Sequence, residues 1–188
     1  MIRNTVLFAL FTPVLFGQSF DFGVKGGVPF TGGFQSTVSS FGSAFTNSKE
    51  YAIGPMVELW LPFGLGVEAD ALYRPLSYSF ERSGTSGTRM NNSIGSWEFP
   101  VLGKYRFALP LVKPYIDAGP SFRANGGAGA FLAHAGFAFG GGVEVGLLKL
   151  HVSPELRFTH WGPDAGVPLF GTLHSGQNQA EFLIGLTF

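Results

Sequence analysis

The sequence predicts an all-β protein, an eight-stranded antiparallel up-and-down transmembrane β-barrel that follows a cleaved signal peptide. Three observations predict this fold. Apolar and polar residues alternate in eight segments, with the two-residue period of a β-strand whose two faces differ. The charged residues within each segment share one parity, and long connections alternate with short ones along the chain. Such alternation is typical of barrels with long external loops at one end and tight turns at the other.

Composition restricts the possible classes of function. The chain has 188 residues, 45% of them hydrophobic, which suits one domain and excludes a disordered chain. Its 12 Lys and Arg balance 12 Asp and Glu, so the net charge gives no reason to expect a nucleic-acid partner. The complete lack of cysteine excludes disulfides, thiol catalysis and zinc–thiolate sites.

The amino terminus has the pattern of a secretory signal. Arg3 supplies a positive start, an apolar run follows from Thr5 to Phe16, and Gly17 to Ser19 supply the small residues of a cleavage site. We therefore expect residues 1–19 to be the signal peptide and residues 20–188 to be the barrel domain. The alternative is a buried amino-terminal strand.

The eight period-two segments define the predicted strands. Most approach the roughly 9–11 residues with which a tilted strand crosses a bilayer. Eight is also the smallest even number of strands in a transmembrane barrel. In chain order the segments are Phe20–Val28, Tyr51–Leu61, Leu65–Tyr73, Trp97–Phe107, Pro114–Arg123, Ala135–Leu147, Leu150–Trp161 and Asn178–Phe188.

The charged face of these strands is predicted to line the barrel interior. Buried charges need partners, because an unpaired ion away from water costs several kcal/mol. We therefore expect a salt-bridged network that fills the lumen, with a small conducting pore as the alternative. The predicted network comprises Glu58, Glu68, Asp70, Arg74, Glu98, Lys104, Arg106, Asp117, Arg123, Glu144, Glu155, Arg157 and Glu181, and Asp21 and Lys25 share the same face. Carboxylates outnumber bases by three, so some should be protonated or close to water.

A soluble, lipocalin-like barrel would place the apolar face inside and the charged face in water. Three features favour the inverted arrangement: glycine is frequent on the charged face, lysine is rare in the strands, and aromatic residues cluster at strand ends. The two predicted aromatic girdles are Tyr51, Tyr73, Trp97, Phe122, Phe137 and Phe158 at one end, and Phe20, Tyr105, Phe107 and Phe188 at the other.

Proline is the main objection to a closed barrel, because each proline removes one hydrogen-bond donor from the sheet. We expect the prolines to lie near strand ends, at bulges or at the membrane rim. The residues concerned are Pro55, Pro100, Pro114, Pro120 and Pro154.

Two segments and the last residue carry a family resemblance: Trp97-Glu98-Phe99-Pro100-Val101-Leu102-Gly103-Lys104-Tyr105-Arg106-Phe107, Lys113-Pro114-Tyr115-Ile116-Asp117-Ala118-Gly119-Pro120, and Phe188. With the eight strands, they resemble the small outer-membrane β-barrel family of the OmpA/OmpX type. The resemblance implies that the protein is located in the outer membrane of a Gram-negative bacterium and is inserted there by the outer-membrane assembly machinery. That machinery recognises an aromatic-ended last strand, a role that would fall to Phe182, Ile184, Leu186 and Phe188.

Enzymatic barrels of this type include lipid A deacylases and palmitoyltransferases. The His151-Val152-Ser153 segment, with Glu155 nearby, looks like the His-x-Ser of the deacylases. We expect it beside the turn at Lys149, however, at the end opposite the outer leaflet that a deacylase attacks. His134, His160 and His174 fall in or beside external loops without regularly spaced carboxylates, so we expect neither a metal site nor a cofactor.

The first long connection is unusually apolar for an external loop, because it carries no charge from Pro29 to Ser48 but has phenylalanines amid Gly, Ser and Thr. One interpretation is packing on neighbouring loops, and the other is a contact surface for a partner. The candidate contact residues are Phe30, Phe34, Phe41 and Phe45.

We therefore expect a monomeric, non-enzymatic outer-membrane barrel with a structural, adhesion or binding role through its external loops. Its expected partners are outer-membrane lipid, the assembly machinery and an unidentified loop-binding molecule. A lipid-modifying enzyme is the principal alternative, and a small pore is the second.

Overall fold

The computed structural model describes residues 18–31, 38–39, 42–45, 51–82, 89–125, 134–147, 149–163 and 177–188. Residues 1–17, which form most of the expected signal peptide, lie outside the described residues, so the signal peptide stays a prediction.

The described chain is almost entirely β-structure. Its only helical element is a 3-10 turn at Pro62–Gly64, and no helix among the described residues is long and apolar enough to cross a membrane. The strands are β1 (Ser19–Pro29), β2 (Val38–Ser39), β3 (Gly42–Phe45), β4 (Ala52–Trp60), β5 (Leu65–Asp70), β6 (Leu72–Arg82), β7 (Arg89–Arg106), β8 (Val112–Asn125), β9 (Ala135–Leu147), β10 (Leu150–Trp161) and β11 (Asn178–Thr187).

These strands close into an eight-stranded antiparallel barrel, as the sequence predicts. β5 and β6 together occupy one position in the wall, and each other long strand pairs with its neighbours in the chain. Closure comes from β1, which pairs with β4 on one side and with β11 on the other. The register at this seam runs from Gly23 opposite Thr187 to Pro29 opposite Glu181.

The barrel has two different ends. Turns at residues 61–64, 107–111 and 148–149 close one end, which we call the short-turn end. The connections after β1, β6, β8 and β10 all lie at the other end, which we call the loop end. The predicted alternation of long and short connections holds for those after β1, β8 and β10, whereas only residues 83–88 separate β6 from β7.

The third and fourth wall positions extend further than the sequence suggested. A loop was expected from Arg74 to Ser96, but β6 continues to Arg82 and β7 begins at Arg89, with Glu81 opposite Arg89. The two-residue alternation does continue through residues 76–81 (LSYSFE). The serines give this segment the composition of a loop, but its backbone pairs with β7 and forms a hairpin. β3 adds to the edge of β6, so part of the first connection is also strand.

Of the five prolines, only Pro114, the third residue of β8, lies near a strand end as expected. Pro55 is the fourth residue of β4, and it accepts a hydrogen bond from the Ala71 amide at 3.0 Å but has no N–H to return. That missing donor explains the interruption between β5 and β6. The register is the same on both sides of the gap, so no residue is inserted as a bulge. Pro154 likewise pairs with Ile184 inside β10. Pro100 pairs with Ser121 inside β7, and Pro120 pairs with Phe137 inside β8, both without a shift of register. The expectation of end or bulge positions is therefore wrong for Pro55, Pro100, Pro120 and Pro154.

The two faces of the barrel wall have the reverse of the polarity of a water-soluble protein, with apolar side chains outside and charged side chains inside. Large apolar side chains are exposed on the outside, including Leu156 at 59% and Phe122 at 49%. The interior side chains include Lys25 and Glu68, both with no exposed area. Aromatic contacts mark both ends of the outer wall, with Tyr73 and Trp97 centroids 5.4 Å apart near the loop end.

Candidate functional site: the charged interior of the barrel

Strand parity brings the predicted charged residues into one interior. Side chains two residues apart point to the same face of a strand, so the charged side chains of each strand point into the barrel. Twelve of the thirteen predicted network residues are buried, and Arg106 is partly buried. The network also includes Lys25, which is fully buried.

Lys25 lies at the centre of the interior network. Its Nζ donates hydrogen bonds to Glu68 and to Glu155, the latter at 2.7 Å, and lies 3.8 Å from Asp70. These partners come from β5 and β10, on either side of the seam that β1 forms. One ammonium group therefore connects strands from the beginning, the middle and the end of the chain.

Arg157 provides a second centre on the same carboxylates. Its three guanidinium nitrogens donate to Glu155 at 2.6 Å, to Asp70 at 2.8 Å and to Glu68 at 2.8 Å. A planar guanidinium suits this use because its donors have a fixed geometry that matches several carboxylates at once.

Lys104 extends the central group toward the short-turn end. Its Nζ donates to Glu58 and Glu68, both at 2.6 Å, and lies 4.0 Å from the ring centroid of Tyr115. The Tyr115 hydroxyl in turn donates to Glu155 at 3.2 Å. Glu68 thus accepts from three different cations, more than any other carboxylate among the described residues.

A second group lies toward the loop end. Arg74 donates to Glu181 and to Glu98, the latter at 3.2 Å, and Arg123 donates to Glu98 at 2.8 Å. Gln179 accepts from Arg123 at 3.1 Å. Two arginines face two glutamates here, so this group is electrically balanced.

The third group lies at the short-turn end. Arg106 Nη1 donates to both oxygens of Glu144, at 2.9 and 2.8 Å, and Lys113 Nζ lies 3.5 Å from the same carboxylate. The Arg106 guanidinium carbon lies 3.8 Å from the ring centroid of Trp60. A cation stacked on an indole face gains electrostatic attraction in addition to its ion pair.

Charge is unequally shared among the three groups. The central group contains three cations (Lys25, Lys104 and Arg157) and five carboxyl groups (Glu58, Glu68, Asp70, Asp117 and Glu155). Asp117 is buried, and neither of its carboxyl oxygens has a hydrogen-bond partner among the described residues. The expected excess of carboxylates is therefore concentrated at the middle of the barrel.

Three interior aromatic residues were overlooked as members of this site: Trp60, Tyr115 and Trp161. Each covers a glycine of the neighbouring strand. A Cβ on Gly66 would lie 2.7 Å from the Trp60 ring, and a Cβ on Gly142 would lie 2.6 Å from the Tyr115 hydroxyl. Trp161 covers Gly136 in the same way and lies 3.8 Å from the Arg123 guanidinium. Parity could have found Trp60, because Leu59 and Leu61 on either side have the outward parity.

Ser153 and Glu155, two of the residues considered for catalysis, are engaged in other contacts. His151, Ser153 and Glu155 share the inward parity near the short-turn end, and the Ser153 hydroxyl donates to the Gly185 carbonyl at 3.4 Å. Glu155 is engaged by Lys25 and Arg157. Within the described residues, no group of three or more His, Asp or Glu could hold a metal ion.

The histidines near the loop end make local contacts. His134 Nδ1 lies 3.2 Å from the carbonyl oxygen of Arg123, and His160 Nδ1 lies 2.7 Å from Asn178 Oδ1. His174 lies outside the described residues.

The phenylalanines of the first connection are only partly described. Phe30 is 65% exposed, and its amide donates to the Ala180 carbonyl at 2.7 Å. Phe45 is the last residue of β3, where its backbone pairs with Ser79. Phe34 and Phe41 lie outside the described residues.

The proposed assembly residues all lie on the outward face of β11 or directly after it. Ile184 and Phe188 are exposed there, and Phe182 and Leu186 are partly exposed. The Phe188 ring meets Phe22 edge to face, with centroids 4.4 Å apart, so it packs across the seam of the barrel.

Comparison with known proteins identifies no family for this chain. No family model matches the chain, and no curated protein matches it. Among solved structures, the chain is similar to the crystal structure of Neisserial surface protein A, at 14% identity and a TM-score of 0.48. The similarity covers 91% of this chain and 97% of that one.

Proposed function

We propose that this chain is an integral outer-membrane β-barrel of non-enzymatic character, with a lumen closed by ion pairs and a biological role carried by the loop end. The observation that carries the proposal is the polarity of the wall. A protein in water does not leave a closed belt of Phe, Leu, Ile and Val exposed while it buries Lys25, Glu68 and Arg157. Lipid around the wall removes this conflict.

The height of the apolar belt supports the same proposal. On β9 the outward side chains run from Phe137 to Leu147 without a charge. At about 3.3 Å per residue and a tilt of roughly 40°, this distance corresponds to about 25 Å along the barrel axis. Outer-membrane barrels have an apolar band of about this height.

Membrane insertion is tested by fractionation and by migration on gels with and without heating. We expect the chain in the outer-membrane fraction, and we expect the unheated protein to migrate differently because a closed barrel resists detergent. Recovery in a soluble fraction with a bound apolar ligand would instead identify a lipocalin-like barrel.

The cross-links at Glu68 support the proposal of a closed lumen. Lys25, Lys104 and Arg157 reach it from β1, β7 and β10, which lie on different sides of the barrel. Their side chains therefore span the interior, and eight strands leave little further space. Planar-bilayer recordings should show no steady conductance. A reproducible ion current from the purified protein would contradict this part of the proposal.

A lipid-modifying enzyme is the alternative class. The arrangement around Ser153 does not favour it, because the hydroxyl bonds to a backbone carbonyl and Glu155 is held by two cations. Mass spectrometry of lipid A from cells with and without the protein separates the classes. Identical lipid A species support the non-enzymatic proposal, and a lost acyl chain or an added palmitoyl group would overturn it.

A further inference from the structure

The three turns of the short-turn end are unusually apolar. Turns between paired strands commonly contain Gly, Asn, Asp, Ser or Pro. The turns at residues 61–64, 107–111 and 148–149 contain a single charged residue, Lys149. Phe63 is 92% exposed and Leu111 is 84% exposed, and Leu109 is also exposed. These side chains point away from the barrel and gain nothing from its interior.

Phe63 is also held in an unfavourable backbone conformation. Its φ of 68° and ψ of 20° lie in the left-handed region, and Phe63 is the only non-glycine residue with positive φ in the described chain. A bulky residue with positive φ is an outlier, whereas Asn or Gly adopts this conformation readily. Strain that persists without internal packing suggests a contact outside the chain.

The apolar turns continue an apolar surface that begins on the wall. Phe20, Phe107 and Phe188 are exposed on the outward face beside this end. The turns join β4 to β5, β7 to β8 and β9 to β10, so they are distributed around the rim. An apolar surface of this form fits a surrounding layer better than a single docked protein.

The most exposed charged side chains beside these turns are both lysines. Lys149 is exposed in its turn, and the Lys113 side chain is 39% exposed beside the turn at residues 107–111. Two acidic residues near this rim, Asp21 and Glu144, have the inward parity; Asp21 is partly buried and Glu144 is buried beside Lys113. Cations beside exposed Phe and Leu are typical of segments that lie in the headgroup region of anionic membranes.

We propose that the short-turn end lies within the phospholipid headgroup region of the inner leaflet rather than in the periplasm. In this arrangement Phe63, Leu109 and Leu111 reach the acyl boundary, and Lys113 and Lys149 lie at the phosphate groups. The inference rests on the proposed membrane location, and it adds the depth and the lipid chemistry of one end of the barrel.

The lack of cysteine allows a direct measurement of depth. Single variants Phe63→Cys, Leu111→Cys, Leu156→Cys and Gln177→Cys can each carry a nitroxide spin label on the full barrel. Vesicles of phosphatidylethanolamine and phosphatidylglycerol provide the membrane. Collisions with oxygen report lipid, and collisions with a water-soluble nickel chelate on both sides of the membrane report water.

Leu156, on the middle of the outer wall, serves as the lipid reference, and Gln177, an exposed residue directly before β11 at the loop end, as the water reference. We expect labels at residues 63 and 111 to collide with nickel several-fold less often than the label at residue 177. We also expect Lys149→Glu to raise nickel access at residue 111, and omission of phosphatidylglycerol to act in the same direction.

The two proposals fail in different ways. If residue 156 reports lipid but residues 63 and 111 are as accessible to nickel as residue 177, the inner-leaflet inference is overturned and the membrane barrel stands. If the nickel chelate is excluded from residues 63 and 111 only when a soluble periplasmic protein is added, that protein rather than lipid covers the short-turn end, and the inference is likewise overturned. If residue 156 itself reports water, the membrane location fails. Should Phe63→Cys not fold, Leu111→Cys carries the test alone.

Discussion

Lys25 Nζ lies 2.7 Å from Glu155 Oε2, although the two residues are 130 positions apart in the chain. β11 lies between their strands in the wall, so the ion pair spans the seam from within. Closure of the barrel therefore involves the interior as well as the backbone pairing of β1 with β11.

Replacing Lys25 with Met should strongly destabilise the barrel. The change leaves Glu155 with only Arg157 and Tyr115 and leaves Glu68 with two of its three cations, all in a buried space. Breaking a buried ion pair on one side costs about 3–5 kcal/mol. Urea unfolding in a neutral detergent, without phospholipid, measures the loss. Lys149→Met is the matched control, because Lys149 is exposed and should change stability by less than about 0.5 kcal/mol.

Asp117→Asn should leave stability unchanged or increase it. Asp117 is buried and its carboxyl oxygens lack hydrogen-bond partners, so removal of its charge sacrifices no bond within the described chain. Glu68→Gln is the contrasting variant, because Glu68 accepts from three cations and should lose several kcal/mol. Equal losses for the two variants in the same unfolding assay would contradict the assigned charge distribution.

Gly54→Ala should impair assembly. A Cβ at residue 54 would lie 1.8 Å from the carbonyl oxygen of Ala71, which is backbone and cannot rotate away. The strands must separate locally, at a cost of about 1–3 kcal/mol or more. Gly103→Ala provides the control, because its Cβ would meet only the Ala118 oxygen at 3.7 Å. The yield of heat-modifiable protein distinguishes the two, and an equal yield would refute the prediction.

Phe63→Asn should stabilise the barrel in detergent by about 1 kcal/mol, because Asn tolerates the left-handed conformation. Leu111→Asn removes a similarly exposed apolar side chain at a position without positive φ, so it should give no such gain in detergent. The difference between the unfolding midpoints of the two variants measures the strain at Phe63. A midpoint for Phe63→Asn below that of the wild type would argue against it.

Phe188→Tyr should assemble nearly normally, whereas deletion of Phe188 should reduce the yield of folded barrel. Besides the ring contact with Phe22, the Phe188 amide donates to the Phe22 carbonyl at 3.1 Å. A tyrosine keeps both contacts, and the deletion removes both. Equal yields from the two variants would count against a role for Phe188 in closing the seam.

Much of the fold could be predicted because strand parity is a local property of the sequence. The bounds of β9 and β10 match the predicted segments, since the inward charges Glu144, Glu155 and Arg157 fix the face of every residue around them. The β6–β7 extension escaped prediction, because its serines and asparagines have the composition of a loop, although residues 76–81 keep the two-residue alternation of a strand.

The interior contacts could not be read from parity. Parity places Lys25, Lys104 and Arg157 inside, but their convergence on Glu68 depends on the stagger between strands and on the length of each side chain. The isolation of Asp117 depends on the same geometry. The left-handed backbone at Phe63 carries no sequence signal, because the residue at that position is not one that favours it.

The convergence of three cations on Glu68 also affects the rates of folding and unfolding. Lys25, Lys104 and Arg157 come from β1, β7 and β10, so their shared contact cannot exist until almost the whole chain has been arranged. Interactions that form late, after the rate-limiting step of folding, slow unfolding without speeding folding. The charged interior is thus suited to prolonging the lifetime of the finished barrel, and its variants should differ chiefly in how fast they come apart.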